Sequence, residues 1–277
     1  MGLTAGQHAV LNRWEVFLTR LETRSEDLRA EASSELQSLV DSLLAADVVQ
    51  TRPVYDALSR IEARLHNLPT KIDRAWQHEA APLFDAEASA EPGSAELLEL
   101  GIQRRETCKV RLENRVERFK LRWSTALYRQ MWSRVEAALQ EVALCSECGA
   151  SLPGIDRRFR TTVSCSPCDS MVVVLPPAVV STYRTEAPQQ FALEAARGIR
   201  EAIHKHRAEV ERLREADPKA PQSFEAFDRR EALECQYWEC YAKVVTETGW
   251  EPAHKASELV TERMEAFASE HTPPEQQ

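Results

Sequence analysis

Apolar side chains recur at every third or fourth position over most of the chain, with polar residues between them. This pattern covers residues 14–43 and 54–68, and it returns at 191–213, 224–245 and 252–269. Such spacing places the apolar residues on one face of an α-helix. The sequence therefore predicts a mainly helical protein.

The longest uninterrupted pattern lies in the middle of the chain. From Cys108 to Val142 the apolar residues keep helical spacing without a proline, and Ser94 is a candidate N-cap. A helix of about 50 residues is a rod of roughly 75 Å. We therefore expect an elongated helical hairpin or coiled-coil-like bundle, with a repeat that is not a strict heptad. Before this helix, Pro69 is expected to interrupt the pattern and residues 85–93 to form a surface loop.

Residues 144–180 have a different character, because turn residues, short alternating runs and four cysteines occur there together. The cysteines form two Cys-x-x-Cys pairs separated by 16 residues. A gap of two residues allows a tight turn to direct two thiolates at one ion, and two such turns complete the tetrahedron that zinc accepts. Four thiolates leave no open position, so the predicted ion is structural. The predicted ligands are Cys145, Cys148, Cys165 and Cys168.

Other interpretations of the cysteines remain open. Iron in a rubredoxin-like site uses the same four thiolates, whereas disulfides are disfavoured because no secretion signal is visible and cytosolic thiols stay reduced. The other cysteines predict no further site. Cys108 lies in the apolar stripe of the long helix, and Cys235 and Cys240 are about 140° apart on a helix, which makes a poor chelate.

Three pieces of sequence around these pairs resemble the zinc-ribbon superfamily: CSECG at 145–149, RFRTTVS at 158–164, and CSPC at 165–168 followed by MVVV. The resemblance is confined to this segment and says nothing of the helices. It implies a small three-stranded sheet and two turns, or knuckles, that grip one structural zinc ion per chain. The second knuckle departs from the commonest form, because Asp169 stands where glycine often follows the cysteine.

These patterns divide the chain into three parts. Residues 1–143 are predicted to form an N-terminal helical region, with the long helix at about 94–143. Residues 144–183 form the ribbon. Residues 184–277 form a C-terminal helical region, in which about the last seven residues are expected to be disordered.

Arginines along the long helix form a basic stripe beside its apolar face. Such a row can clamp phosphates, or it can pair with acidic residues of another helix. Glu15, Glu22 and Glu26 have a matching spacing on the first helix, so internal pairing is favoured. The stripe comprises Arg104, Arg111, Arg115, Arg118, Arg122 and Arg129.

The predicted ribbon carries a second basic spot. Arg157, Arg158 and Arg160 surround Phe159 before the second cysteine pair. Zinc ribbons often present such an arm to nucleic acid, and the same arm can contact a protein partner.

Charge and motifs narrow the functional classes. The chain has 35 basic and 44 acidic side chains, a formal net charge of −9, which does not steer it generally toward nucleic acid or anionic lipid. Its longest nearly continuous apolar run, residues 171–180, is too short for a membrane span of about 20 residues. No Walker, GxGxxG, GxSxG or HExxH motif is present, so no enzyme is predicted.

We therefore expect a non-enzymatic, cytoplasmic scaffold or adaptor that acts through protein partners, with self-association as one form of this. The alternative is a nucleic-acid-binding protein that uses the stripe from Arg104 to Arg129 together with the ribbon arm. No contact with a membrane is expected.

Overall fold

The computed structural model describes residues 3–46, 50–90, 94–216 and 224–271. The helices before the cysteine-rich segment are α1 (Ala5–Ala45), α2 (Arg52–Ala75), a π-helical turn (Trp76–Ala80), α3 (Ala81–Ala90) and α4 (Ser94–Gln140). Four short strands follow: β1 (Ala143–Leu144), β2 (Ser151–Leu152), β3 (Thr161–Ser164) and β4 (Met171–Val174). The last helices are α5 (Ala178–Ala195), α6 (Arg197–Ala216), α7 (Phe224–Thr248) and α8 (His254–Glu270). The predicted fold class, mainly α with a small β insert, is confirmed.

Packing separates the chain into two compact units, Met1–Trp123 and Ser124–Gln277. Helix α4 contributes residues to both units, and the ribbon lies in the second. The division into three parts predicted from the sequence is based on changes of secondary structure and not on packing. Both this division and the elongated shape stay predictions. The predicted disorder at the C-terminus concerns residues that, apart from His271, lie outside the described part of the chain.

The first helix begins with a reciprocal cap. The Thr4 hydroxyl accepts a hydrogen bond from the Gln7 amide, and the Gln7 side chain accepts one from the Thr4 amide at 3.0 Å. Two amides that have no partner inside the helix are satisfied in this way. Gln7 itself is buried, so the cap also fixes where α1 enters the core of the first unit.

Aromatic side chains pack closely against α4 in the first unit. Trp76 lies between Trp14 and Phe84, with ring centroids 5.4 and 5.3 Å away. The Trp14 indole donates a hydrogen bond to the Gly101 carbonyl at 3.2 Å. A Cβ atom at Gly101 would lie 2.6 Å from Phe84 and 2.8 Å from Trp76. Glycine is therefore required here for the close approach of these rings to α4.

Two predictions for the first unit are wrong. Pro69 does not interrupt α2, because it is buried among apolar residues of the same face and their packing outweighs its missing hydrogen bond. Residues 85–90 belong to α3 rather than to a loop. The three alanines in this stretch favour helix, and the Pro-Gly pair that suggested a loop comes only after α3 ends.

In the second unit, α7 is the central helix and contacts α5, α6 and α8. The helix predicted over 191–213 is instead two helices, because the chain turns at Ala196 between α5 and α6. Pro188 again lies inside a helix, α5, and is buried. Tyr183 of the same helix contacts the rings of Trp132 and Trp250, at centroid distances of 5.2 and 6.1 Å.

The strands form two separate antiparallel pairs rather than the three-stranded sheet that the resemblance implied. β1 pairs with β2, with Ala143 opposite Leu152, and β3 pairs with β4, with Val163 opposite Val172. Each pair flanks one Cys-x-x-Cys turn. The ribbon is therefore two short hairpins of the same design.

Candidate metal centre

The first cysteine pair lies in the tight turn between β1 and β2. The Gly149 amide donates to the Cys145 carbonyl at 2.9 Å, and the Cys145 amide donates to the Ala150 carbonyl at 2.8 Å. Gly149 has a φ of +73°, and a Cβ atom there would meet no other atom within 4 Å. The left-handed backbone alone therefore favours glycine at this position.

The second pair repeats this arrangement between β3 and β4. The Asp169 amide donates to the Cys165 carbonyl at 2.7 Å, and the Cys165 amide donates to the Ser170 carbonyl at 2.9 Å. Asp169 has a φ of +56°. Aspartate tolerates this region better than most residues that carry a side chain. The departure from glycine noted in the sequence therefore leaves the knuckle intact.

The two knuckles bring the four predicted ligands together. The Sγ atoms of Cys145 and Cys168 are 3.7 Å apart, and those of Cys148 and Cys165 are 3.6 Å apart. All four Sγ atoms lie within 4.8 Å of one another. Thiolates at about 2.3 Å from a tetrahedral ion are separated by about 3.8 Å. The four cysteines thus form a cluster that can hold a metal ion.

The thiols of this cluster have unequal acidities. Burial raises the pKa of Cys165 to about 12, whereas hydrogen bonds from the Ser170 side chain and backbone lower the pKa of Cys168 to about 6. A metal binds cysteine as the thiolate, so protons compete with it at every ligand. Metal binding at this cluster therefore weakens as the pH falls.

Little apolar material supports the ribbon apart from the cysteines. Its buried cluster contains four apolar residues from the strands together with two of the ligands. A segment of this size rarely folds on an apolar core alone. The members of the cluster are Ala143, Leu152, Val172, Val174, Cys145 and Cys165.

Arg157 attaches the ribbon to the end of α4. Its guanidinium donates to the carbonyls of Ala138 and Glu141, both at 3.0 Å, and to the Glu141 carboxylate at 3.1 Å. Carbonyls in the last turn of a helix have no partner within it, and a cation there also interacts well with the helix dipole. Arg157, the first arginine of the basic arm predicted for partner contact, therefore makes contacts within this protein.

The rest of the basic arm is divided between internal contacts and solvent. Arg158 forms an ion pair with Asp156 at 2.8 Å and lies over the Trp250 ring at 5.9 Å. Phe159 is covered by the Arg184 guanidinium at 4.6 Å. Arg160 is exposed, and no ion pair is found for it within the described ranges.

Three arginines of the α4 stripe, Arg104, Arg111 and Arg115, pair with the glutamates that the sequence suggested. Arg115 lies close to two carboxylates of α1, and Arg118 and Arg122 are not free either. In the second unit Arg129 pairs with Glu194. The N–O distances are 2.8 Å for Arg104–Glu15, 3.4 Å for Arg111–Glu22, 3.3 Å for Arg115–Glu26 and 3.8 Å for Arg115–Glu22.

Cys108 is a core residue, as predicted. Its side chain is buried, and burial together with the neighbouring Glu22 carboxylate raises the pKa of the thiol to about 11. A thiol that stays protonated at neutral pH is a poor nucleophile. Cys235 and Cys240 are partly exposed, in line with the sequence-based interpretation.

Sequence reasoning missed one surface of the ribbon. Met171, Val173 and Leu175 alternate along β4 and the residue after it, and they are exposed by 67, 46 and 63 %. We call these three residues the β4 strip. The signal was present in the sequence, because MVVV is apolar at every position and a two-stranded sheet can bury only one face.

The helices and this cluster define a helical protein with an insert of four cysteines that can hold a metal ion. Within the described ranges, no helix has both the length and the apolarity to cross a membrane. No protein-family model, curated protein or solved structure matches the chain.

Proposed function

We propose that this protein is a non-enzymatic scaffold or adaptor and that its ribbon is a zinc-stabilised docking surface for another protein. The β4 strip is the observation that carries this proposal. Apolar residues grouped on the surface of a folded domain often mark a contact site. Val172 and Val174 face the ribbon core, so the strip lies on the opposite face of the same strand.

Zinc is the metal we assign to the cysteine cluster, as in the zinc-ribbon superfamily. The donor set is four sulfur atoms at tetrahedral spacing, which suits a closed structural site. Bound zinc supplies folding free energy and no chemistry. Its role is to hold β4 in place, so that the strip is presented as a rigid surface. Iron is the alternative, and elemental analysis of the purified protein distinguishes the two.

The occupant we propose for the strip is an apolar face of a different protein. Three alternating side chains span about 13 Å along an extended strand, which suits one helix or strand of a partner. They are too few for a large permanent interface. A second copy of this chain is the competing occupant. It would be favoured if the purified protein sediments as a dimer and substitution of the strip residues makes it monomeric.

The test is quantitative affinity purification from the native host with two matched variants. The strip variant, Met171→Ser with Val173→Ser, removes two of the three apolar side chains of the strip, and the control variant, Val110→Ser, removes an apolar side chain of similar exposure (49 %) on α4. Proteins retained by the wild type should be lost with the strip variant and kept with the control, while the metal content of all three stays equal. Identical partner sets for the wild type and the strip variant would refute the proposal.

Nucleic-acid binding is the second candidate function. Exposed Arg160 beside Arg158 favours it, whereas the carboxylates paired with the α4 stripe count against it. Retention on a nucleic-acid column, measured against salt concentration, tests it directly. Retention that falls steeply with salt and is lost in Arg160→Glu would support this candidate over the scaffold.

A further inference from the structure

Charges in the first unit are sorted by helix face. Acidic residues of α1 and α2 face the basic side chains of α4: besides the arginine pairs, Glu62 contacts Lys120 at 2.6 Å and Asp73 contacts Lys109 at 3.0 Å. These pairs use carboxylates from both helices. Six other basic residues of α1 and α2 lie along a different face, and none of the six has an ion pair with α4 in the described part of the chain.

These remaining cations meet in the groove between α1 and α2. Most are exposed, and no ion pair is found within the described ranges for any except Arg24, which contacts Glu31 at 3.6 Å. Spacings of seven and four on α1, and of seven and three on α2, place each set on one helix face. The α1–α2 groove is lined by Arg13, Arg20 and Arg24 of α1 and by Arg64, Lys71 and Arg74 of α2.

The groove contains two cavities of different character. One, of about 730 Å³, lies between the start of α1 and the π-helical turn with α3, where Val16, Phe17 and Leu83 form an apolar lining beside Arg13 and Arg20. The other, of about 340 Å³, has an apolar floor and four cations: Arg24, Arg64, Lys71 and Arg74. Glu79 is the only carboxylate among the described residues that line either cavity.

The order of the lining residues shows how the cavities are arranged. Residues 9–20 of α1 face residues 75–84, and residues 24–28 of α1 face residues 64–74, so the two segments run antiparallel along one groove. The centres of these two stretches of α1 are about eleven residues apart, which is about 16 Å along the helix. A ligand that occupies both must combine an apolar end with an anionic end at this separation.

We propose that the α1–α2 groove binds an acidic peptide segment of a partner protein, with apolar side chains in the larger cavity and carboxylates over the smaller one. This proposal does not depend on the ribbon or on its zinc ion. Charge complementarity selects an acidic partner, and the apolar cavity selects a peptide that also carries apolar anchors. The chain would then have separate docking surfaces in its two units.

The groove suits a peptide better than a single-stranded nucleic acid. Bases bind to such grooves by stacking on exposed aromatic faces. Here Trp14, Trp76 and Phe84 are exposed by 4, 6 and 0 %, and Phe17 is stacked on Trp14 at 5.3 Å. The apolar cavity therefore offers aliphatic and ring-edge contacts, which accommodate leucine or phenylalanine side chains.

The test measures fluorescence anisotropy of three labelled peptides with the full chain. The first peptide has about sixteen residues, with two leucines one helical turn apart near one end and four glutamates near the other. The second replaces the glutamates with glutamines, and the third replaces the leucines with serines. We expect the first peptide to bind and each of the others to bind at least about tenfold more weakly.

Two charge-reversal variants locate the binding surface. Arg20→Glu with Lys71→Glu should weaken binding of the first peptide by about tenfold or more, since two attractive contacts become repulsive. The matched control, Lys205→Glu with Arg229→Glu, changes two exposed cations of the second unit and should stay within about twofold of the wild type. Circular dichroism and thermal melting verify that both variants are folded.

Four results would overturn the proposal. They are the absence of binding of the first peptide, equal binding of the glutamine peptide, equal weakening in the control variant, and preferred binding of another polyanion. For the last, an oligothymidylate and vesicles of phosphatidylcholine with phosphatidylserine serve as probes. Failure of the groove proposal would not affect the proposal for the β4 strip, because the strip is tested with different variants and with partners from the host.

Discussion

The ribbon and the first helical unit contain very different amounts of buried apolar side chain. The ribbon core consists of small or branched residues and two cysteines, whereas the first unit buries large side chains such as Trp14, Leu65 and Phe84. The helices can thus be stabilised by packing alone. A ribbon with so small a core is expected to depend on a metal ion held by its four thiolates, so each part should be open to disruption without the other.

Loss of the metal should give the largest effect. Structural zinc contributes about 10–16 kcal/mol in small metal-stabilised domains, so Cys148→Ser or chelation should unfold the ribbon. The helices should persist because their apolar faces remain packed. We expect metal content to fall from about one ion per chain to none, with far-UV circular dichroism nearly unchanged. Wild-type protein that contains no metal when purified without chelators would contradict this prediction.

Gly101→Ala should have the opposite effect to loss of the metal: it should destabilise the first helical unit and leave the ribbon unchanged. The new methyl group overlaps Phe84 and Trp76, and such overpacking lowers the free energy of unfolding by about 1–3 kcal/mol. Metal content should not change. The matched control is Gly198→Ala in α6, where the methyl group meets no atom within 4 Å. That variant should be stabilised by about 0.5–1 kcal/mol. Equal melting temperatures for the two variants would argue against the packing at Gly101.

Arg157→Ala should affect the connection between the ribbon and α4. It removes hydrogen bonds to the carbonyls of Ala138 and Glu141, at a cost of about 1–3 kcal/mol. Hydrogen exchange should speed up in the last turn of α4 while the ribbon retains its metal. Arg160→Ala, in the exposed part of the same arm, serves as the control. Unchanged exchange rates in the Arg157 variant would show that its hydrogen bonds contribute little.

Arg115→Glu should give the smallest change of this series. Its ion pairs with Glu22 and Glu26 are partly exposed, and such pairs contribute about 1 kcal/mol or less. Reversal of the charge adds repulsion, so the melting temperature should fall by a few degrees and part of the loss should be recovered at high salt. A loss that does not respond to salt would point to packing rather than charge.

The sequence anticipated more of the ribbon than of the helices around it. Each Cys-x-x-Cys pair fixes its own turn, so the ligands could be named from local spacing. The predicted interruption at Pro69 and the predicted loop after Phe84 were wrong, because helix propensity and burial outweighed the local signal of proline and glycine. The sequence analysis also did not identify the row of cations on α2, because the sequence of one helix does not show which of its charged side chains are neutralised by another helix.

The sequence by itself determined the helical class, the positions of the four thiolates, and the matching spacing of the α4 arginines and the α1 glutamates. Each of these depends on the spacing of residues along one segment. Only the tertiary structure decided which charges pair and which remain in the α1–α2 groove. It also decided that Arg157 is used internally and that β4 exposes Met171 and Val173. The physical reason is that pairing and exposure depend on what the other segments cover, which is set when the chain packs.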